Sequence, residues 1–157
     1  MKSILILDNI RSVMNVGSMF RTANALGMDK IYLCGITPGP LDRFSRPRKD
    51  FDKVALGAEK TIAWERADDT VALVRKLCSE GVHVVAIEQD SRAVDYKDVG
   101  IQGKEVVAIL MGPEVLGVSK EVLDEVSMIA EIPMRGSKES LNVGVAFGIT
   151  AYRILNI

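Results

Sequence analysis

Short apolar runs recur at residues 3–7, 30–34, 82–87, 106–111 and 128–132, and residues 106–110 are continuously apolar. Unbroken runs of this length are what parallel strands covered on both faces require. Between them, Val16, Met19, Phe20, Ala23 and Leu26 fall at helical spacing before Gly27, so residues 16–26 form a helix. Residues 67–80 and 120–126 read as further helices. Strands alternating with helices predict an α/β fold, a single domain spanning 1–157 around a parallel sheet. Residues 35–54 carry three prolines and no period, which reads as an exposed loop.

The last stretch, 132–157, breaks the pattern. From Ser140 to Leu155 the only polar side chains are Ser140, Asn142, Thr150 and Arg153, so this helix is expected to be covered on every side. Gly144 and Gly148 lie one turn apart with Ala151 following. Each interior glycine costs about 1 kcal/mol against alanine, which close backbone approach would offset. In the preceding turn Pro133 stops the strand, Gly136 is suited to a positive φ, and Ser140 is placed to cap the helix.

Composition narrows the options. Twenty basic residues against 21 acidic ones give a net charge of -1, so no global field attracts nucleic acid and any RNA site must be a local patch. No run is apolar and long enough for a membrane span. Cys34 and Cys78 lack metal-ligand spacing, and no signal peptide precedes them, which suggests a reducing cytoplasm. His83, the only histidine, sits mid-strand and reads as structural. Glu88-Gln89-Asp90 has no histidine or cysteine beside it, so no metal is expected. The first strand does not lead into G-x-G-x-x-G, so a Rossmann dinucleotide site is unsupported.

Three stretches stand where a strand gives way to a turn or helix. They are Asn15-Val16-Gly17-Ser18-Met19-Phe20-Arg21, Leu110-Met111-Gly112-Pro113-Glu114-Val115-Leu116-Gly117, and Ile132-Pro133-Met134 through Ser140-Leu141-Asn142-Val143. In order and separation they resemble the three motifs of the SpoU (TrmH) family of SPOUT RNA methyltransferases. That resemblance implies transfer of a methyl group from S-adenosylmethionine to a ribose 2'-hydroxyl of tRNA or rRNA. It also implies a parallel sheet whose C-terminal part forms a trefoil knot, and a homodimer joined through that part; no DNA or membrane partner is expected.

By position, the resemblance assigns the adenosine pocket to Ile87, Gly112, Ile132, Met134 and Leu141. Apolar walls suit an adenine ring, and a glycine lets main chain approach it, although Ile132 and Leu141 are equally ordinary core residues. Arg21 matches the arginine to which the family assigns catalysis. Arginine holds its proton, so its part would be to orient the hydroxyl or a phosphate and to stabilise alkoxide character; as an alternative it is a helix-surface residue. Asn15 and Asn142 could hold the arginine or the ribose, or cap helices. Ser140 is a cap or a ribose contact, and Glu114 is partner to a cation or part of a helix start after Pro113. Gly144 departs from the serine common in the third motif, and no N-terminal RNA-gripping extension is expected. RNA contact would then come from Arg11, from Arg43, Arg46, Arg48 and Lys49, and from a second subunit. Two rivals remain, a non-catalytic RNA-binding or ribosome-assembly protein on the same fold and a flavodoxin-like nucleotide-binding domain.

Overall fold

A computed structural model describes residues 1–157. Its strands are β1 (Lys2–Asp8), β2 (Lys30–Cys34), β3 (Ala63–Ala67), β4 (His83–Ile87), β5 (Val94–Asp95), β6 (Val106–Met111) and β7 (Met128–Glu131). They form one sheet in the order β3-β2-β1-β6-β4-β7-β5, and every pairing is parallel. Alternation along each strand divides the core between the two faces. Leu5, Leu7, Ile109 and Met111 meet α1 (Val13–Ala25), α2 (Lys49–Ala55) and α5 (Val143–Leu155). Ile4, Ile6, Ala108 and Leu110 meet α3 (Thr70–Ser79) and α4 (Lys120–Leu123). Because the strands are parallel, all their carboxyl ends lie along one edge. Open α/β sheets bind ligands in crevices at that edge.

The structure departs from the sequence reading where local pattern is weak. Residues 35–54 are not all loop, because α2 begins at Lys49. Phe51 and Ala55, one turn apart, are buried, and Phe51 meets Phe20 edge-on with ring centroids 5.1 Å apart. β3 is an edge strand with mostly exposed side chains, and β5 has only two residues, so neither carries an apolar run. The helix expected over 67–80 starts at Thr70, where the Asp69 side chain accepts the Ala72 N–H at 3.0 Å. The helix expected over 120–126 ends at Leu123.

The terminal helix differs from expectation in three respects. Phe147, Thr150, Ala151, Ile154 and Leu155 are buried, but Val145, Ile149 and Tyr152 remain 52, 39 and 43% exposed, so the rest of the chain covers one face only. Asn142, not Ser140, caps it: the Asn142 Oδ1 accepts N–H bonds from Gly144 and Val145 at 2.9 and 3.3 Å. Gly136 does not adopt a positive φ. The glycine stripe faces α1. A Cβ at Gly144 would lie 3.7 Å from Ser18 Oγ and one at Gly148 would lie 4.0 Å from Thr22 Cγ2, so the approach at Gly148 is ordinary van der Waals distance. No helix is long and apolar enough to cross a membrane. His83 opens β4 half-buried, and burial, with Lys104 nearby, holds its imidazole below the usual value.

Candidate active site

A cavity of about 670 Å³ lies at the carboxyl ends of β4, β6 and β7. Ile87, Gly112, Ile132, Met134 and Leu141 all line it, as do Asn15, Glu114, Ser140 and Asn142. Ile87 is the last residue of β4, Gly112 follows β6, Ile132 follows β7, and Ser140 to Asn142 lead into α5, so strand ends and one helix start deliver the wall. Met111, Val143 and Ala146 extend its apolar part.

Hydrogen bonds join the three sequence motifs here. The Asn142 Nδ2 donates to Asn15 Oδ1 at 3.0 Å, and the Asn15 Nδ2 donates to Glu114 Oε1 at 3.1 Å. Glu114 also accepts the backbone N–H groups of Arg11 and Ser12 at 3.2 and 3.3 Å, at the start of α1. Burial pushes the Glu114 carboxyl up, but the Asn15 amide and these backbone donors more than offset it, so its pKa lies below the ordinary value. The two asparagines therefore hold each other rather than an arginine, and Asn142 serves as cap as well. Glu114 pairs with no cation and lies in a turn rather than in a helix start after Pro113. It ties the loop after β6 to the entrance of α1.

Gly112 lines the cavity, but the close approach that requires a glycine is to the chain itself. A Cβ there would lie 2.4 Å from Val118 Cγ2 and 2.9 Å from Val118 N. Glu88 holds the same loop, accepting the Val118 N–H at 2.8 Å. Gly117 adopts φ +69°, which brings the chain against that carboxylate.

Glu88, Gln89, Glu131 and Glu139 also line the cavity, and sequence reasoning missed them as wall residues. The signal was present for two: Glu88 directly follows the apolar run of β4, and Glu131 closes that of β7. The wall thus carries four glutamates and no lysine or arginine, which suits an apolar ring carrying a cationic tail. Arg21 stands apart from this cavity, exposed on α1 and without a hydrogen-bonded or ion-pair partner. Of the basic residues, Arg46 pairs with Asp42 at 2.9 Å and Arg48 forms two bonds with Asp50 at 3.1 and 2.9 Å. Local carboxylates therefore offset part of that cluster's charge.

A parallel α/β domain with a ligand cavity built from the loops after β4, β6 and β7 and from the start of its last helix is the class this arrangement defines. The chain belongs to the SpoU rRNA Methylase family, whose model matches residues 2–152. The 23S rRNA (guanosine-2'-O-)-methyltransferase RlmB of Coxiella burnetii is 31% identical over 96% of this chain and 57% of its own length. An AdoMet-bound rRNA methyltransferase from Sinorhizobium meliloti superposes with a TM-score of 0.88 at 32% identity, over 99% of this chain and 56% of that one. A structure described for the 2-OH methylation of C/U34 on tRNA superposes with a TM-score of 0.80 at 26% identity, over 99% of this chain and 95% of that one. The chain spans just over half the length of the curated relatives it matches.

Proposed function

We propose that the protein transfers a methyl group from S-adenosylmethionine to a ribose 2'-hydroxyl of tRNA or rRNA, acting as a homodimer in the cytoplasm. One observation carries this reading. A single cavity gathers all five residues that the resemblance gives to the adenosine pocket, together with the hydrogen-bonded series Asn142, Asn15 and Glu114. Its volume and the apolar part of its wall fit a nucleoside-sized ligand. Its glutamates suit the cationic sulfonium and ammonium of S-adenosylmethionine. When bound, that molecule supplies an electrophilic methyl group.

The protein's part is to position and to stabilise charge. Glu114 is a positioning residue rather than a base, because its lowered pKa makes it a weak proton acceptor and its oxygens are already engaged. It holds Asn15, which holds Asn142, which fixes the first turn of α5 beside the cavity. Arg21 stabilises developing negative charge on the ribose oxygen. The exposed apolar residues of α5, Val145, Ile149 and Tyr152, with Met14 of α1 at 69% exposure, form the face through which two copies join. Joining there provides a route for the second copy's Arg21 to reach a cavity that has no cation of its own. The trefoil threading of residues 132–157 belongs to the same proposal.

Relatives described for rRNA and for tRNA methylation keep both RNAs as substrate classes. Isothermal calorimetry with S-adenosylmethionine tests the cavity. One site per protomer is expected, lost in Ile132→Glu. No heat at millimolar cofactor with folded protein would overturn the assignment.

A further inference from the structure

The chain has four phenylalanines. Phe20, Phe51 and Phe147 are fully buried, whereas Phe44 is 61% exposed. It projects from a turn that the sequence pins tightly. The Asp42 carboxylate accepts the backbone N–H of Phe44 at 2.8 Å and that of Arg46 at 3.0 Å, and takes the Arg46 Nε–H at 2.9 Å. Backbone bonds from Ser45 N to Asp42 O at 2.9 Å and from Asp42 N to Arg46 O at 2.8 Å close it, and Leu41 bridges Pro47 beneath. Ser45 sits at φ 60°, uncommon for a residue with a side chain. This structure presents an aromatic ring to solvent instead of folding it away.

The surroundings identify its occupant. The guanidinium carbons of Arg43 and Arg46 lie 4.7 and 4.9 Å from the Phe44 ring centroid. Arg46 is tied to Asp42, while Arg43 forms no ion pair and is free to leave the ring. A groove of about 910 Å³ runs beside the turn, and Arg43, Arg46, Arg48, Lys49 and Arg66 face it against Asp42 as the one carboxylate in its lining. The groove follows β2 and lies on the same carboxyl edge of the sheet as the candidate active site. An exposed ring beside a cationic groove is the arrangement that holds single-stranded nucleic acid, with bases stacked and phosphates in the groove.

We propose that Phe44 is a stacking platform for an unpaired base of the RNA substrate, with Arg43 and Arg46 as its guanidinium neighbours and the groove as the phosphate track. This rests on the RNA reading above, and it adds a contact that basic residues alone do not provide.

The test uses the full chain and a fluorescein-labelled single-stranded RNA of twelve adenylates, followed by anisotropy at fixed salt. Phe44→Ala should weaken binding about 10-fold or more, since stacking on an aromatic ring is worth that much per base. Phe44→Leu should fail to restore it, and Phe44→Trp should restore it with indole fluorescence quenched on adding RNA. The exposed position makes these variants tolerant to folding, and circular dichroism checks this. Equal affinity for the parent and Phe44→Ala overturns the proposal while leaving RNA binding in place. Full rescue by leucine also overturns it, because apolar contact without stacking would then suffice. Loss of the dimer in Phe44→Ala by light scattering would assign the ring to protein contact and overturn it. If the parent fails to bind any RNA, including total tRNA, the RNA reading itself falls, and the inference with it.

Discussion

Replacing Glu114 removes the carboxylate that joins the loop after β6 to α1 and, through Asn15, to Asn142. Three hydrogen bonds disappear in Glu114→Ala, to Arg11 N, Ser12 N and Asn15 Nδ2, at 3.1 to 3.3 Å. Charge-assisted bonds are strong when short, near 2.7 to 2.9 Å. These are longer, and Glu114 is exposed, so each is worth about 0.5 kcal/mol, and the abandoned N–H groups can turn to water. The total is about 1 to 2 kcal/mol, or a fall in Tm of about 2 to 8 °C for a chain of this size. The pH dependence supplies a sign. The Glu114 pKa lies below its ordinary value of 4.5, so its contribution is complete above that value and is lost as pH falls through the folded pKa. The gap in Tm between parent and Glu114→Gln, followed by scanning calorimetry, should therefore be widest near pH 7 and shrink progressively as pH falls below 4.5. An unchanged Tm at pH 7 in Glu114→Ala, or a gap that persists undiminished at pH 3, would refute the linking role.

Arg21→Ala should leave cofactor affinity intact and lower single-turnover methyl transfer about 100- to 1,000-fold, with Arg21→Lys recovering little; rates equal to the parent would return Arg21 to the role of an ordinary surface residue. Because a Cβ at Gly148 meets nothing closer than 4.0 Å, Gly148→Ala should raise stability in urea unfolding by about 0.5 to 1 kcal/mol, whereas Gly148→Leu should lower it by about 1 to 3 kcal/mol against Thr22. With thiol reagent, Cys78 should react alone in the native protein. Cys34 is fully buried, and burial pushes its pKa up to about 12, so Cys78→Ser should abolish the native reaction.

Where burial is two-sided, the sequence was explicit. The unbroken runs of β1, β2, β4 and β6 made the parallel sheet readable without any tertiary information. An edge strand such as β3 buries too little to leave an apolar signature, and α2 hides behind prolines because two residues, Phe51 and Ala55, anchor its seven. The cavity was legible in part. Ile87, Gly112, Ile132, Met134 and Leu141 were named through the resemblance, and the structure brings them together. What joins Asn142 to Asn15 and Asn15 to Glu114 spans 127 and 99 residues in sequence, and no local pattern encodes such pairings. Likewise, the sequence showed that Gly112 was special but not that Val118 makes it so. The charge of the basic cluster was legible only in part. Counting cations between residues 43 and 49 ignored Asp42 and Asp50, which the turn folds back onto Arg46 and Arg48.

Methyl transfer to a ribose hydroxyl can be followed directly. RNA from cells lacking the protein, incubated with the purified protein and S-adenosylmethionine carrying an isotopically labelled methyl group, can be digested to nucleosides and resolved by mass spectrometry. Label is expected in a 2'-O-methylated nucleoside, dependent on Arg21. Label confined to a nucleobase, or no label in RNA while the protein binds the cofactor, would contradict it.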